Sequence, residues 1–300
     1  MTVLEAHQII QQELQSLNSF ENMDMQYPEV DRALNTCMFD MIDDYCTQFD
    51  ELKHDKKFEQ IQALLDKLDR LYVVDKELTP TLVSNAPAPY YYYDITSIAA
   101  PNAVYRILDD KSKVTITCGK TTKSKVVSNI LTKSYNLTRT LENSLTKTRK
   151  DAPISHYENG KLRVFYDGFT VDKIYIDYIK SPLKIHYKLP FLGVSNGATN
   201  SVIGFLQQSF NPLEHMYIGM PIYESGVFKG NITDITSSTI TIDATLSATT
   251  HNLVAGFNGD SLMPLSDSGN KELVKRTSLY LMKLSEQSQQ KIVNLTAENQ

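Results

Sequence analysis

LRVFYDGFTVDKIYIDYIKSPLKIHYKL, Leu162 to Leu189, is the densest run of β-branched and aromatic residues in the chain. Within it Val171, Lys173, Tyr175, Asp177 and Ile179 share one parity, and Asp172, Ile174, Ile176, Tyr178 and Lys180 the other. Successive side chains of a strand point to opposite faces. The pattern therefore predicts a strand with an apolar or aromatic stripe on both faces, covered by core on one side and by a neighbour on the other. Leu162, Val164 and Tyr166 predict a strand before it, and Asp167-Gly168 a tight turn between the two. Ser181-Pro182 breaks the ladder, because proline lacks an N–H and restrains the residue before it. Leu183, Ile185 and Tyr187 then predict a third strand, so the expectation is a three-stranded meander.

Toward the N-terminus the period changes from two to about three and a half. Val3, Ala6, Ile9, Ile10, Leu14 and Leu17 form one helical stripe. Tyr27-Pro28 opens a second helix, proline being comfortable in the first turn. Its apolar face is Val30, Leu34, Cys37, Met38, Met41, Ile42, Tyr45 and Phe49. A third helix is expected from about Lys56 to Tyr72, with Phe58, Ile61, Leu64, Leu65, Leu68 and Leu71 inward. Three such amphipathic helices predict a small bundle or helical hairpin. Pro80, Pro87 and Pro89 mark a change to extended chain, followed by predicted strands at Tyr90–Ile95, Val104–Leu108 and Val114–Cys118. Val126–Leu141 alternates loosely, and Thr146–Pro153 reads as a basic, polar loop.

From Pro190 to Gly259 the composition turns to Gly, Ser, Thr and Asn, with short alternating strands and Gly219, Gly226 and Gly230 at turns. A last amphipathic helix is expected at about 270–285, with Asn270 as its N-cap and Leu273, Val274, Thr277, Tyr280, Leu281 and Leu284 inward. The fold class expected is α+β. The division is residues 1–75 helical, 76–189 a β-domain with the central hairpin, 190–262 an inserted β-module projecting from it, and 263–300 a helix and tail that return to the N-terminal helices.

Three hundred residues with 41% hydrophobic and 22% charged side chains suit a globular protein. Thirty basic against 35 acidic residues leave no basic excess to argue for nucleic acid. Cys37, Cys46 and Cys118 lack CxxC spacing and read as structural thiols of a reducing compartment. No run of 18 apolar residues predicts a membrane span, and the first residues lack the pattern of a signal peptide.

The segment LRVFYDGFTVDKIYIDYIKSPLKI resembles part of the head-to-tail connector ring (adaptor) proteins of tailed phages, nearest those of the crAss-like phages. KKFEQIQALLDKLDRL, the stretch Tyr90–Asp94, Cys118 and LMPLSDSGNKELVKRTSLYLMKLSEQ sit in places compatible with that family. The resemblance implies helices at both ends around a β-rich core and no catalysis. It also implies a closed ring, a dodecamer, set between the portal protein and tail or further ring proteins. In that family the hairpin runs almost directly into the last helix, whereas here residues 190–259 intervene.

Gly119-Lys120-Thr121 ends like a phosphate-binding loop, but Val114 stands where its first glycine is needed, and Thr122–Val127 reads as a strand instead of the required helix. His7, His54, His156, His186, His215 and His251 show no metal-ligand spacing. Asp40, Asp43 and Asp44 read as a solvated helix flank, without the alternating oxygens of a calcium loop. Asp172 and Asp177 fall on opposite strand faces and so diverge, and Lys173 and Lys180 nearby suggest cross-strand ion pairs instead of a catalytic pair. Residues 111–150 are locally basic through Lys111, Lys113, Lys120, Lys123, Lys125, Lys133, Lys147, Arg149 and Lys150, which suits a DNA channel, an acidic neighbour or a guarded sheet edge. The sequence thus predicts no catalytic residue, cofactor or metal. The resemblance implies a non-enzymatic virion protein of the phage neck, assembled in the host cytoplasm. The alternative is a peripheral tail or fibre protein whose 190–260 module binds a glycan or a partner.

Overall fold

A computed structural model describes the chain except residues 18–24, 87, 99–101, 119–120, 133–136, 138–140, 142–146, 207–209, 257–258 and 299–300. For residues 17, 54, 117–118, 121 and 285–298 it describes the backbone only. The protein is mixed α+β with helices toward both termini, and it divides into two compact units. One is Leu71–Ser181; the other joins Met1–Arg70 to Pro182–Gln300.

The described residues of 71–181 hold nine strands: β1 Tyr72–Leu78, β2 Thr81–Val83, β3 Tyr90–Asp94, β4 Val104–Cys118, β5 Thr121–Ser128, β6 Ile130–Leu131, β7 Ile154–Glu158, β8 Lys161–Phe165 and β9 Thr170–Lys180. They form two sheets, ordered β1-β9-β4-β5 and β2-β3-β8-β7-β6. Both contribute to one apolar core, in which Leu162 and Val164 of β8 join Ile174, Ile176 and Tyr178 of β9.

The predicted meander is therefore corrected. β8 and β9 are strands, but each pairs away from the other: β8 with β3 and β7, β9 with β1 and β4. Asp167-Gly168 lies in the connection between two sheets, and its alternating neighbours bury apolar faces against each other in place of sharing a ladder. A bulge explains why Val171 and Ile174, of opposite parity, are both in the core. Lys113 faces Lys173 while Val114 faces Val171, so Asp172 is the extra residue that resets the alternation.

β4 replaces the two short strands expected at 104–118. The polar stretch that looked like a break contains Asp110 and Ser112, both buried, and the Asn129 amide donates to Asp110 Oδ2 at 2.6 Å. β1 has no counterpart among the expected strands. It continues from the place where the third helix was expected to end.

In the other unit, α1 spans Val3–Leu17, α2 Tyr27–His54, α3 Phe58–Lys67 and α4 Asp267–Glu298. α4 packs against all three others. The whole predicted apolar face of α2 is buried. Phe58 is a correction: it opens α3 and is 73% exposed, beyond the reach of the helical layer.

α4 begins three residues earlier than expected. Ser266 Oγ accepts the Gly269 N–H at 3.2 Å and is the capping oxygen. Asn270, the expected cap, is fully buried one turn inside; its amide donates to Leu265 O at 2.8 Å and its carbonyl accepts from Leu265 N–H at 3.3 Å. Tyr280 and Leu284, expected inward, are exposed, while Leu273, Val274, Thr277 and Leu281 are buried. The helix also continues to Glu298, past the expected end near residue 285.

Residues 183–187 form no strand. The strand-like pattern is real, but the backbone partners are side chains of α2. Asn35 accepts the Ile185 N–H at 2.8 Å and donates to the Ile185 carbonyl at 2.9 Å, while the Asp31 carboxylate accepts the Tyr187 N–H at 2.9 Å.

β10 Leu189–Ser195, β11 Val202–Phe205, β12 Pro221–Glu224, β13 Val227–Ile235, β14 Thr239–Ile242 and β15 Thr250–Ala255 close into a barrel ordered β10-β11-β14-β13-β12-β15. Phe191, Ile203, Met216, Ile222, Ile232, Ile240 and Leu253 fill its interior. The module expected at 190–262 thus has its own core, but it groups with the helices and not with the hairpin sheets. The chain after β15 explains this. Ser261 O accepts the Val3 N–H at 2.9 Å, and Met263 N–H donates to Met1 O at 3.2 Å. Gly259 sits at this junction with φ +71°, and a Cβ there would come within 2.8 Å of the Leu4 nitrogen and the Tyr187 ring.

Candidate functional site

β5 follows β4 as its antiparallel partner, with Cys118 opposite Thr121. Gly119 and Lys120 lie outside the described residues, but the element after them is a strand, whereas a phosphate loop needs a helix whose N-terminal N–H groups face the ligand.

His7, His156 and His251 sit in separate environments. His7 is buried on α1 with Nε2 2.9 Å from Asp31, the carboxylate that also holds the Tyr187 backbone. Its ring lies beside the stacked pair Tyr27 and Tyr187, whose centroids are 3.8 Å apart. His156 Nδ1 is 2.8 Å from Thr132 O. His251 Nδ1 is 2.7 Å from Glu224, and Ser247 O lies 2.9 Å from its Nε2. The Ser247 carbonyl, followed by the Glu224 carboxylate, raises its pKa above the usual histidine value.

His186 and His215 were not paired by sequence reasoning. They are 29 residues apart, and no local spacing signals that Nε2 of one lies 2.9 Å from Nδ1 of the other. Burial lowers the pKa of both, and that of His215 falls to about 4, the neighbouring His186 and Lys184 adding to the effect. The cavity they line with Val3, Leu183, Tyr217 and Ser261 is ≈ 40 Å³, room for water and not for a substrate. Chemically the pair is a proton-sharing contact between neutral rings. Among the described residues no three His, Cys, Asp or Glu side chains converge as metal ligands.

The carboxylates flagged in the sequence also have structural partners. Asp177 is buried; its Oδ1 accepts the Asp75 N–H at 2.7 Å, and Lys111 Nζ lies 3.6 Å from its Oδ2. Asp75 has φ 49° at a bulge of β1, so Asp177 satisfies an N–H that the ladder releases there. Asp172 accepts from the Thr115 hydroxyl. Cross-strand ion pairs are present: Lys173 binds Glu77 of β1 at 2.9 Å, and Lys111 of β4 lies 3.6 Å from Asp177. Asp44 of the acidic α2 flank binds Arg276 of α4 at 2.7 Å.

The basic run is partly neutralised by acids that sequence distance concealed. Lys111 binds Asp75 at 2.9 Å, Lys147 binds Asp167 at 2.9 Å, and Lys125 binds Asp151. Lys120 and Lys133 lie outside the described residues.

What the fold does offer is surface. The outermost strands of the two sheets are β1 and β5 in one and β2 and β6 in the other. Each carries an exposed aliphatic side chain: Val74, Val126, Leu82, and the pair Ile130 and Leu131. On the helical side, a groove of ≈ 250 Å³ runs between α2 and α4, lined by Met25, Glu29, Arg32, Tyr280, Leu281 and Leu284. No described helix is long and apolar enough to cross a membrane. Comparison with protein-family models and with curated proteins finds no match to this chain.

Proposed function

We propose that the protein is a non-enzymatic structural component of a tailed-phage particle, one copy in a closed ring of the neck that connects the portal to the tail. The resemblance of Leu162–Ile185 to connector ring proteins supplies the kind of particle. The observation that carries an assembly role is the exposure of aliphatic residues on all four outermost strands of residues 71–181. An unpaired edge presents free N–H and C=O groups as a template for another chain, and apolar side chains along it favour occupancy over solvation. Portal and tail proteins are the proposed partners, and the dodecameric copy number follows the family.

The test is negative-stain microscopy and light scattering of the purified chain, alone and with the portal protein of the same particle. Closed rings are expected. A chain that stays monomeric at all concentrations and ignores the portal overturns the reading, and elongated trimers would replace it with the tail-fibre alternative.

A further inference from the structure

The barrel has no free edge, yet part of its wall is apolar where it faces solvent. On β10 and β11 the inward residues Phe191 and Ile203 fill the core, while the outward Leu192 and Val194 and Val202 are exposed by 39%, 41% and 36%. Leu206, one residue beyond β11, is 52% exposed and hydrogen-bonded to the Leu192 carbonyl. Gly204 stands opposite Val194, and nothing lies within 4 Å of where its Cβ would be, which leaves a shallow seat in this wall. A solvated barrel face ordinarily alternates to polar residues, as neighbouring β14 does with Thr239 and Thr241.

A second apolar surface is the tip of the β12–β13 hairpin. Ser225 and Gly226 turn it with φ 51° and 79°, and Val227 and Phe228 stand out 60% and 52% exposed. In the closed order, β13 lies three places from β10 and β12 three places from β11. The hairpin and the β10–β11 wall are therefore on opposite sides of the barrel.

Neither surface brings an unpaired charge. β10 and β11 contain no Asp, Glu, Lys or Arg, and Glu224 and Lys229, which flank the tip, bind each other at 3.1 Å. Burying the two together strands no ion. The wall exposes on the order of 300 Å² of apolar surface, the size of the largest and often functional patch on a typical monomer, and the tip a smaller patch on the order of 200 Å². Together they make the apolar centre of a contact near the small end of specific interfaces. Two different neutral patches on opposite sides of one closed body are what a head-to-tail contact needs; a two-fold contact needs a single self-complementary patch.

We propose that a second copy of this chain is the occupant: Val227 and Phe228 of one subunit seat on the β10–β11 wall of the next, the ring of Phe228 over Gly204. This rests on the ring reading and names the surface between neighbouring subunits.

Charge-inserted variants test it. Val194→Asp spoils the wall and Phe228→Asp the tip, with Leu206→Asp as a second wall variant; circular dichroism must match the unsubstituted chain. Each variant alone is expected to lose assembly and run as monomer in light scattering. Mixing Val194→Asp with Phe228→Asp restores one intact wall–tip contact, so a doubling of mass to dimer, and no further growth, is expected. A folded single variant that still assembles, or a mixture that stays monomeric, overturns this contact while leaving the ring reading intact. An unsubstituted chain that never self-associates removes both.

Discussion

Asn35 uses both ends of its amide on one peptide unit, accepting from the Ile185 N–H and donating to the Ile185 carbonyl. No other described group pairs with that N–H, so Asn35→Ala strands a partly buried donor and acceptor. A loss of about 1–3 kcal/mol in urea unfolding is expected, and a change under about 0.5 kcal/mol would show that water replaces the amide. Asp177→Ala should cost a similar amount, roughly 1–3 kcal/mol, because the Asp75 N–H at the bulge and Lys111 lose their common acceptor. Neither role is readable from sequence: both partners are about a hundred residues or more away. The histidine pair is hidden for the same reason, and it carries a pH signature. Burial holds His215 near 4 against 6.5 unfolded, so between those values the unfolded chain binds the extra proton. Stability contributed this way is complete above pH 6.5 and falls as the pH drops toward 4. His251 works in the opposite sense, since its raised pKa stabilises below 6.5 and that part is lost as pH rises through the folded value. Thermal midpoints measured from pH 4 to 6.5 should therefore rise less steeply in His215→Asn than in the unsubstituted chain. An unchanged slope would remove the pair from the account.

At the scale of elements, periodicity marked which segments are helices and strands but not what they pair with. The buried face of α2 was legible because a helix displays its partners' side every three or four residues, whatever those partners are. The alternation of β8 and β9 was equally clear, yet adjacency in sequence suggested a shared ladder that the shared core does not require. Residues 183–187 show the same ambiguity, since side-chain acceptors on α2 can stand in for a neighbouring strand. α4 is the element whose inward side can be tested most directly. Leu273 is fully buried, and Leu273→Ala should cost about 2–5 kcal/mol, including the cavity it leaves. Leu284→Ala, at an exposed position, should change stability by less than about 0.5 kcal/mol. Equal losses at the two positions would mean that α4 packs with a different face.

For the whole molecule, composition located the β-rich module at about the right residues but attached it to the wrong neighbour. The shift to Gly, Ser and Thr at Pro190 is a change of strand style inside one compact unit, and the boundary between units falls instead at Leu71 and Ser181. Nothing in the composition marks Leu71, where a buried leucine passes from a helical turn into β1. The segment that can be removed is therefore residues 71–181 and not the β-module. The two ends of residues 71–181 are held together, with Tyr72 opposite Ile179 and the Lys180 N–H on the Leu71 carbonyl at 2.9 Å. Closely spaced ends are the condition under which an inserted unit is excised without strain. Joining Arg70 to Pro182 through a short Gly/Ser linker should leave the helices and barrel folded, with a cooperative urea transition and a smaller m-value in proportion to the surface lost. Deleting 191–259 instead removes the barrel that shares this unit, along with the strands leading to the Ser261 and Met263 contacts with residues 1–3. That deletion should broaden or abolish the transition of the helical part. If the first deletion unfolds the chain and the second does not, the unit boundary lies elsewhere.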